Sequence, residues 1–247
     1  IYFLPEMERL FMSSPSLRRN FIDRLIYTKD KKYNSLINSY KKSILERYQL
    51  LKSQNYDQIW IDNIEKNITD LALTIYKKRF DHINILNNLL NELDITKQFS
   101  INFLIKIKDS FIDRNSENNI LDNAFFSENL KKNRQFDLLS GGCSIGPHRS
   151  DIEGYKVGTS FNINQLSTGQ QKTFILLLII AQCKYLIKIE NKRPIVLLDE
   201  VCSHLDVNNR ELLLYLVNEL NVQVFMTGTE KKYFSFLSTK AHYCNIA

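Results

Sequence analysis

Hydrophobic residues in the first third of the chain return every three or four positions, with polar residues filling the gaps. That is the pattern of helices with one buried face. Tyr33, Leu36, Ile37, Tyr40, Ile44, Tyr48 and Leu51 trace one stripe. Ile61, Ile64, Ile68, Leu71 and Ile75 keep the alternating spacing of a coiled-coil seam, and Leu86, Leu89, Leu90 and Leu93 extend it. Residues 31–94 are free of Gly and Pro, so two or three long helices packed as an antiparallel arm are expected there. Trp60 and the tyrosines belong in the packing of that arm, and Lys77-Lys78-Arg79 belongs on its solvated surface.

Either side of the arm the pattern changes. Residues 1–4 read as a strand broken by Pro5, and Ser13-Ser14-Pro15 opens a helix with proline in its first turn. That helix puts Leu17, Phe21, Ile22 and Leu25 on one face and Arg18, Arg19 and Arg24 on the other. Phe99, Ile101, Phe103, Ile105 and Ile107 alternate with more polar neighbours, the period of a strand. Residues 109–119 then read as a polar loop, 120–134 as a helix and 151–161 as a hairpin. Lys131, Lys132 and Arg134 suit the C-terminal end of that helix. Residues 173–187 are apolar nearly all round and predict a buried helix. Four branched apolar residues at 195–198 predict a buried parallel strand, 210–220 an amphipathic helix and 222–226 another strand. This strand–helix–strand rhythm places the chain in the α/β class.

Composition narrows the picture only a little. At 247 residues, 44% hydrophobic and 24% charged, the chain has the makeup of a globular protein of one or two domains. A net charge of +6 and a pI near 9.0 favour an anionic partner, although Lys, Asn and Ile are abundant throughout. Cys143, Cys183, Cys202 and Cys244 are far apart with no paired C-x-x-C, which argues against a zinc site and for a reducing, cytoplasmic compartment. The longest apolar run, 174–181, is far too short to cross a bilayer, so no membrane partner is expected.

The candidate chemistry lies in the last third. Gln165-Leu166-Ser167-Thr168-Gly169-Gln170-Gln171-Lys172 sits where a long helix begins, so backbone N–H groups and the positive helix end face whatever lies in front, and a phosphate suits that field. The strand at 195–198 ends in Asp199-Glu200, at the edge of a parallel sheet where ligands bind. Nucleotide hydrolysis uses such a pair: one carboxylate near Mg²⁺, and one that orients or deprotonates the attacking water. Ser203-His204-Leu205-Asp206 follows, and the next strand opens into Thr227-Gly228-Thr229, whose hydroxyls could reach a γ-phosphate or its water. Each motif alone has a plain explanation, a helix cap or a strand ending at the surface. Their order makes chance a poor account. A further glycine-rich block, Gly141-Gly142-Cys143-Ser144-Ile145-Gly146-Pro147-His148-Arg149-Ser150-Asp151, sets His and Arg beside Asp; an internal Asp–Arg pair and contact with DNA or a nucleotide are both open.

Leu166-Ser167-Thr168-Gly169-Gln170 resembles the signature of ABC ATPases, Asp199-Glu200 the end of their Walker B strand, and Ser203-His204-Leu205-Asp206 their D-loop. Leu4-Pro5-Glu6, the run from Ser14 to Asp23, Gly146-Pro147-His148-Arg149-Ser150-Asp151 and Thr227-Gly228-Thr229 resemble the RecF family in particular. The resemblance implies an ABC-ATPase-type head, part of a P-loop NTPase fold, with an inserted helical arm. Its segments would be 1–30, the end of the ATPase lobe and an entry helix; 31–95, the arm; 96–165, strands and the Gly-Pro-His-Arg block; and 166–247, the signature, Walker B, D-loop and switch.

In such heads ATP is sandwiched between the phosphate loop of one subunit and the signature of another. By resemblance Asp199 holds Mg²⁺, Glu200 is the general base, and Ser167, Thr168, Gly169 and Gln170 grip the γ-phosphate across an ATP-dependent homodimer. Asp206 passes information across that dimer, Thr227 and Thr229 sit at the nucleotide, and Arg18, Arg19, His148 and Arg149 are candidates for DNA or dimer contact. Thr227-Gly228-Thr229 lacks the switch histidine expected of transporters, and a threonine is a poor base, so turnover is expected to be slow. The family resemblance further implies single- and double-stranded DNA at gaps, other recombination mediator proteins, and work in replication, recombinational repair and the SOS response. The family's Gly-x-x-Gly-x-Gly-Lys-Ser/Thr loop occurs nowhere in the 247 residues, so the chain reads as the C-terminal portion of a longer protein. An inactive or interaction-only fragment, a chromosome-structure ATPase and a transporter subunit stay open as alternatives.

Overall fold

The computed structural model describes residues 1–53, 55–93, 102–114, 122–159, 161–201, 207–237 and 241–245. The chain divides into two compact units, one made of 1–13, 85–104 and 154–247, the other of 14–84 and 105–153. This division follows packing, whereas the four segments drawn from sequence follow the motifs.

In the first unit, β1 (Tyr2–Phe3), β4 (Ile195–Leu198) and β5 (Gln223–Met226) form a parallel sheet with β4 in the centre. Tyr2 lies opposite Leu197, and Leu197 opposite Phe225. Phe3, Val196 and Leu198 are buried, but Ile195, Leu197 and Phe225 on the other face are each about half exposed (51%, 49% and 52%). The strand expected to be buried is therefore buried on one side only; the described residues do not cover the face that parallel sheets normally hide. The helix α7 (Thr168–Lys188) is buried along its whole length from Gln171 to Leu186, as its all-round apolar sequence predicts. Phe174 on α7 meets Phe11 and Phe103 with ring centroids 5.1 and 4.9 Å away. Gly154 passes close to that ring, where a Cβ would come within 2.5 Å of it. The helix α8 (Val207–Asn218) follows β4, and Asn209 accepts a hydrogen bond from Thr173 of α7.

The second unit is built on α1 (Pro15–Lys29), α2 (Tyr33–Lys52) and α3 (Gln58–Asn91), whose last residues, 85–91, belong to the first unit. Ser14 and Pro15 start α1 as the sequence predicts. Arg47 on α2 bonds Glu65 on α3, and Asn67 bonds Ser43, so the two helices run antiparallel. The seam residues Ile61, Ile64, Ile68 and Ile75 are buried. Trp60 is not: 52% of it is exposed, because it stands one position off the seam. Arg79 departs in the opposite sense. It lies four residues after Ile75, on the seam itself, and is buried with its charge paired rather than solvated.

Downstream, α4 (Ser110–Arg114) occupies part of the stretch expected to be a loop. The helix expected over 120–134 is two, α5 (Asn123–Lys132) and α6 (Arg134–Ser140), separated where Asn133 leaves helical geometry. β2 (Phe103–Lys108) pairs with β3 (Asp151–Lys156); of the hairpin expected over 151–161, an isolated Tyr155–Asn162 bridge forms. Residues 99–101 and Ser203-His204-Leu205-Asp206 lie outside the described residues. No described helix is long and apolar enough to cross a membrane.

Candidate nucleotide site and basic platform

The carboxylate pair takes its position from β4. Asp199 donates its backbone N–H to Phe3 O, and Thr227 donates its own to Leu198 O, so both neighbouring strands hold the end of β4. Glu200 then turns with φ of 47°, a left-handed conformation that costs a non-glycine residue about 1–3 kcal/mol and is most often kept at functional sites. The Thr227 hydroxyl supports this turn twice: it accepts the Glu200 backbone N–H at 3.1 Å and donates to the Asp199 carboxylate. Asp199 is half-buried and Glu200 exposed, so the pair is open to a ligand at the C-terminal edge of the sheet. Thr227, expected at the nucleotide, organises the two acidic residues through its hydroxyl in this arrangement. Thr229 is exposed in the loop beyond and lines, with Thr227 and Gly228, a cavity of about 650 Å³.

The N-terminus of α7 is closed by a reciprocal cap. Ser167 Oγ accepts the Gln170 backbone N–H, and the Gln170 side chain accepts the Ser167 backbone N–H. Ser167 and Thr168 are exposed, and Gly169 and Gln170 partly so. The cap leaves the N–H groups of Thr168 and Gly169 at the positive end of a 21-residue helix, a suitable seat for a phosphate oxygen. The residues present thus fit part of a Mg²⁺-nucleotide site, the carboxylates and a helix end, whereas the glycine-lysine cradle is not in the sequence.

In the second unit, Arg18, Arg19, His148 and Arg149 gather around the 141–151 segment in unequal circumstances. Arg18 makes a two-pronged ion pair with Asp151, at 2.8 and 2.7 Å. Arg19 donates to Ser150 O, and burial together with the nearby Arg79 lowers its pKa. His148 is held by both ring nitrogens, Nδ1 to Tyr40 Oη at 2.8 Å and Nε2 to Cys143 O at 2.9 Å. A carbonyl only accepts, so Nε2 carries the proton and Nδ1 accepts from Tyr40. Burial, then the positive charges of Arg149 and Arg19, push the His148 pKa down to about 4 and keep the ring neutral. Arg149 is exposed, with Nε donating to the same Cys143 carbonyl at 2.9 Å.

Sequence reasoning missed the residues that hold this segment. Arg79 binds Asp23 through two nitrogens and donates to Pro147 O. Arg47 joins Glu65, Asp137 and Leu130 O, and Asp137 in turn accepts the Ser144 backbone N–H. Gly146 has a φ of 122° and lies where a Cβ would fall 2.2 Å from Tyr40 Oη, so no other residue fits. A signal was available: Arg47 is seven residues after Tyr40, and Arg79 four after Ile75, each on a buried stripe where a charge needs a partner.

The parallel sheet ending in paired carboxylates, the long buried helix capped at its signature, and the helical insertion give the fold of an ABC-ATPase-type head. Residues 10–243 match the family described as the RecF/RecN/SMC N terminal domain. The chain belongs to that family, as a member of its RecF branch. It is 31% identical over 235 residues to the DNA replication and repair protein RecF of Rickettsia bellii (strain OSU 85-389), covering 94% of this chain and 64% of that protein. Against RecF of Agrobacterium fabrum identity is 28% over 247 residues, covering 100% of this chain and 65% of the relative. The chain thus spans a little under two thirds of the curated relatives it matches. In fold it is similar to the recombination mediator protein RecF solved with ATP, with a TM-score of 0.77 at 23% identity over 94% of this chain and 62% of that one.

Proposed function

We propose that this chain is part of a RecF-type ATP-dependent DNA-binding protein of DNA replication and recombinational repair. Support comes above all from the Asp199–Thr227–Glu200 arrangement, which fixes two acidic residues with different surroundings at the open edge of a parallel sheet. ATP with Mg²⁺ would supply the phosphoanhydride and the metal. Asp199, its carboxylate oriented by the Thr227 hydroxyl, is the ligand for Mg²⁺, and Glu200 is the group that orients or deprotonates water. Thr227 lacks a basic nitrogen, so turnover is slow, in keeping with a clamp rather than a pump. Ser167, Thr168, Gly169 and Gln170 offer a helix end to the γ-phosphate held by a second copy, which makes nucleotide the cement of a homodimer. Asp206 belongs to the same dimer contact, and Thr229 to the nucleotide's surroundings. DNA, single- and double-stranded at gaps, and the recombination mediators are the partners, in the cytoplasm.

Light scattering with ATP and Mg²⁺ tests this on the present chain and on one extended upstream to include a phosphate loop. The extended chain should dimerise with nucleotide, Glu200→Gln should prolong the dimer, and Thr227→Val should weaken its Mg²⁺ dependence while Thr227→Ser keeps it. The alternative reading is an interaction-only fragment. Failure of both chains to respond to nucleotide would establish that reading and sink the first.

A further inference from the structure

Four of the second unit's eight arginines are spent in the internal ion pairs described. Arg18 is paired with Asp151, Arg47 with Glu65 and Asp137, Arg79 with Asp23, and Arg134 with Asp62 and Glu65. Arg149 differs in two ways. It is exposed, and among the described residues it has no carboxylate partner; its one anchor is Nε on Cys143 O. That anchor is stiff, because the same carbonyl also receives His148 Nε2–H, and Cys143 is itself buried. Fixing Nε restrains the planar guanidinium, so its two terminal nitrogens form a fork with little freedom left to lose.

The ground beside that fork is bare. Gly141 has a φ of 81°, and a Cβ built on it meets nothing within 4 Å. A Cβ on Gly142 meets one atom, Arg149 Nη2, at 3.9 Å. The two glycines are nonetheless held in place, with the Gly142 N–H bonded to Asp137 O and the Ser144 N–H to the Asp137 carboxylate. Both glycine N–H groups are already bonded to Asp137 O, so the donors for an oxyanion are those of the fork, and the bare backbone beside it leaves the approach open. Arg19 and Arg149 both bear electrostatically on the neutral His148 ring.

We propose that Arg149, beside the open Gly141-Gly142 backbone, forms a phosphate-binding site occupied by a phosphodiester of DNA. The choice of DNA over a nucleotide's phosphate rests on the functional reading above; the site does not. Arg18, Arg19, His148 and Arg79 then serve as its supports, and Arg149 is the contact.

Two variants test it from opposite directions. Arg149→Gln removes the charge and keeps the length. Gly142→Asp keeps Arg149 and places a carboxylate beside its fork, in space that is open. Duplex binding is followed by fluorescence anisotropy over a salt series, with Arg149→Lys as the charge-conserving control and thermal unfolding as a check on the fold. Both variants should weaken binding roughly tenfold at moderate salt and reduce the slope of log K against log salt by about 1, whereas Arg149→Lys keeps the slope. A fluorescent ATP analogue with Mg²⁺ forms the second arm. Variants that lose nucleotide but not DNA assign the same site to a nucleotide's phosphates and overturn the DNA occupant. Wild-type binding of DNA or ATP left unchanged by both variants overturns the site alone, and a wild-type protein that binds neither overturns it together with the functional reading.

Discussion

Arg47→Met offers the sharpest test of how the second unit is held together. Arg47 is 1% exposed and sends one nitrogen each to Glu65 at 2.8 Å, Asp137 at 2.7 Å and Leu130 O at 2.7 Å. The consequences of removing it differ for each partner. Glu65 keeps the Arg134 guanidinium, at 3.0 and 2.6 Å, so its charge stays compensated. Asp137 keeps the Ser144 N–H but loses its cation while remaining wholly buried. Stranding one carboxylate in this way costs about 3–5 kcal/mol. For a chain of this size each kcal/mol lowers Tm by about 2–4 °C, so the variant should melt roughly 10 °C lower. Because Asp137 also fixes the 141–144 turn, amide exchange at Gly142 and Ser144 should accelerate in the folded state. Adding Asp137→Asn removes the stranded charge but keeps an acceptor for Ser144, so the double variant should regain part of the loss. Differential scanning fluorimetry with hydrogen exchange reads all of this. A Tm within about 2 °C of wild type, or a double variant as unstable as the sum of the two, would refute the reasoning.

Two other expectations follow from the same geometry. His148 titrates near 4 when folded against 6.5 when free, so between those values the unfolded chain binds the extra proton. Its contribution is complete above pH 6.5 and lost as pH falls to about 4, amounting to about 3 kcal/mol; His148→Gln should flatten urea-derived stability across that window, and an unchanged profile would discount the buried neutral ring. At the signature, Ser167→Ala removes the cap of α7 and should cost about 1 kcal/mol. Ser167→Asp keeps a capping oxygen and should restore stability, yet its charge should still abolish nucleotide-driven dimerisation. Equal dimerisation by Ser167→Asp and wild type would remove the helix end from the nucleotide's path.

The parts of the fold carried by local pattern were legible in the sequence. Helix α7 was readable because residues 173–187 are apolar nearly all round, and it is buried from Gln171 to Leu186. The start of α1 followed from Ser14 and Pro15, and β4 and β5 from their branched residues. What escaped was set by tertiary partners. Ile195 and Leu197 read as core because parallel strands are normally covered twice, and the described residues leave one face of this sheet open. Arg79 read as solvated because it follows two lysines, although its spacing from Ile75 put it inward; Asp23, 56 residues away, is the partner that permits its burial. The acidic pair was visible from sequence, but the role of Thr227 was not, since a hydroxyl 28 residues from Asp199 reveals its partner only once β4 and β5 are paired.

A net charge of +6 does not locate a nucleic-acid site, and the distribution of partners explains why. Lys78, Lys108, Lys131 and Lys132 each lie against a carboxylate, as do Arg18, Arg47, Arg79 and Arg134, so their fields close over short distances. A charge neutralised within one ion pair displaces few counterions from a polyanion, whereas an uncompensated guanidinium displaces about one. The block around His148 inverts the usual expectation for a basic motif: most of its cations are scaffolding, and their internal pairing is what makes the remaining one stiff. That is also why the Asp–Arg pair and a phosphate contact are not competing explanations. Arg18 on Asp151 and Arg79 on Asp23 fix the backbone of 147–151, and a fixed backbone lets Arg149 meet an anion without ordering itself anew.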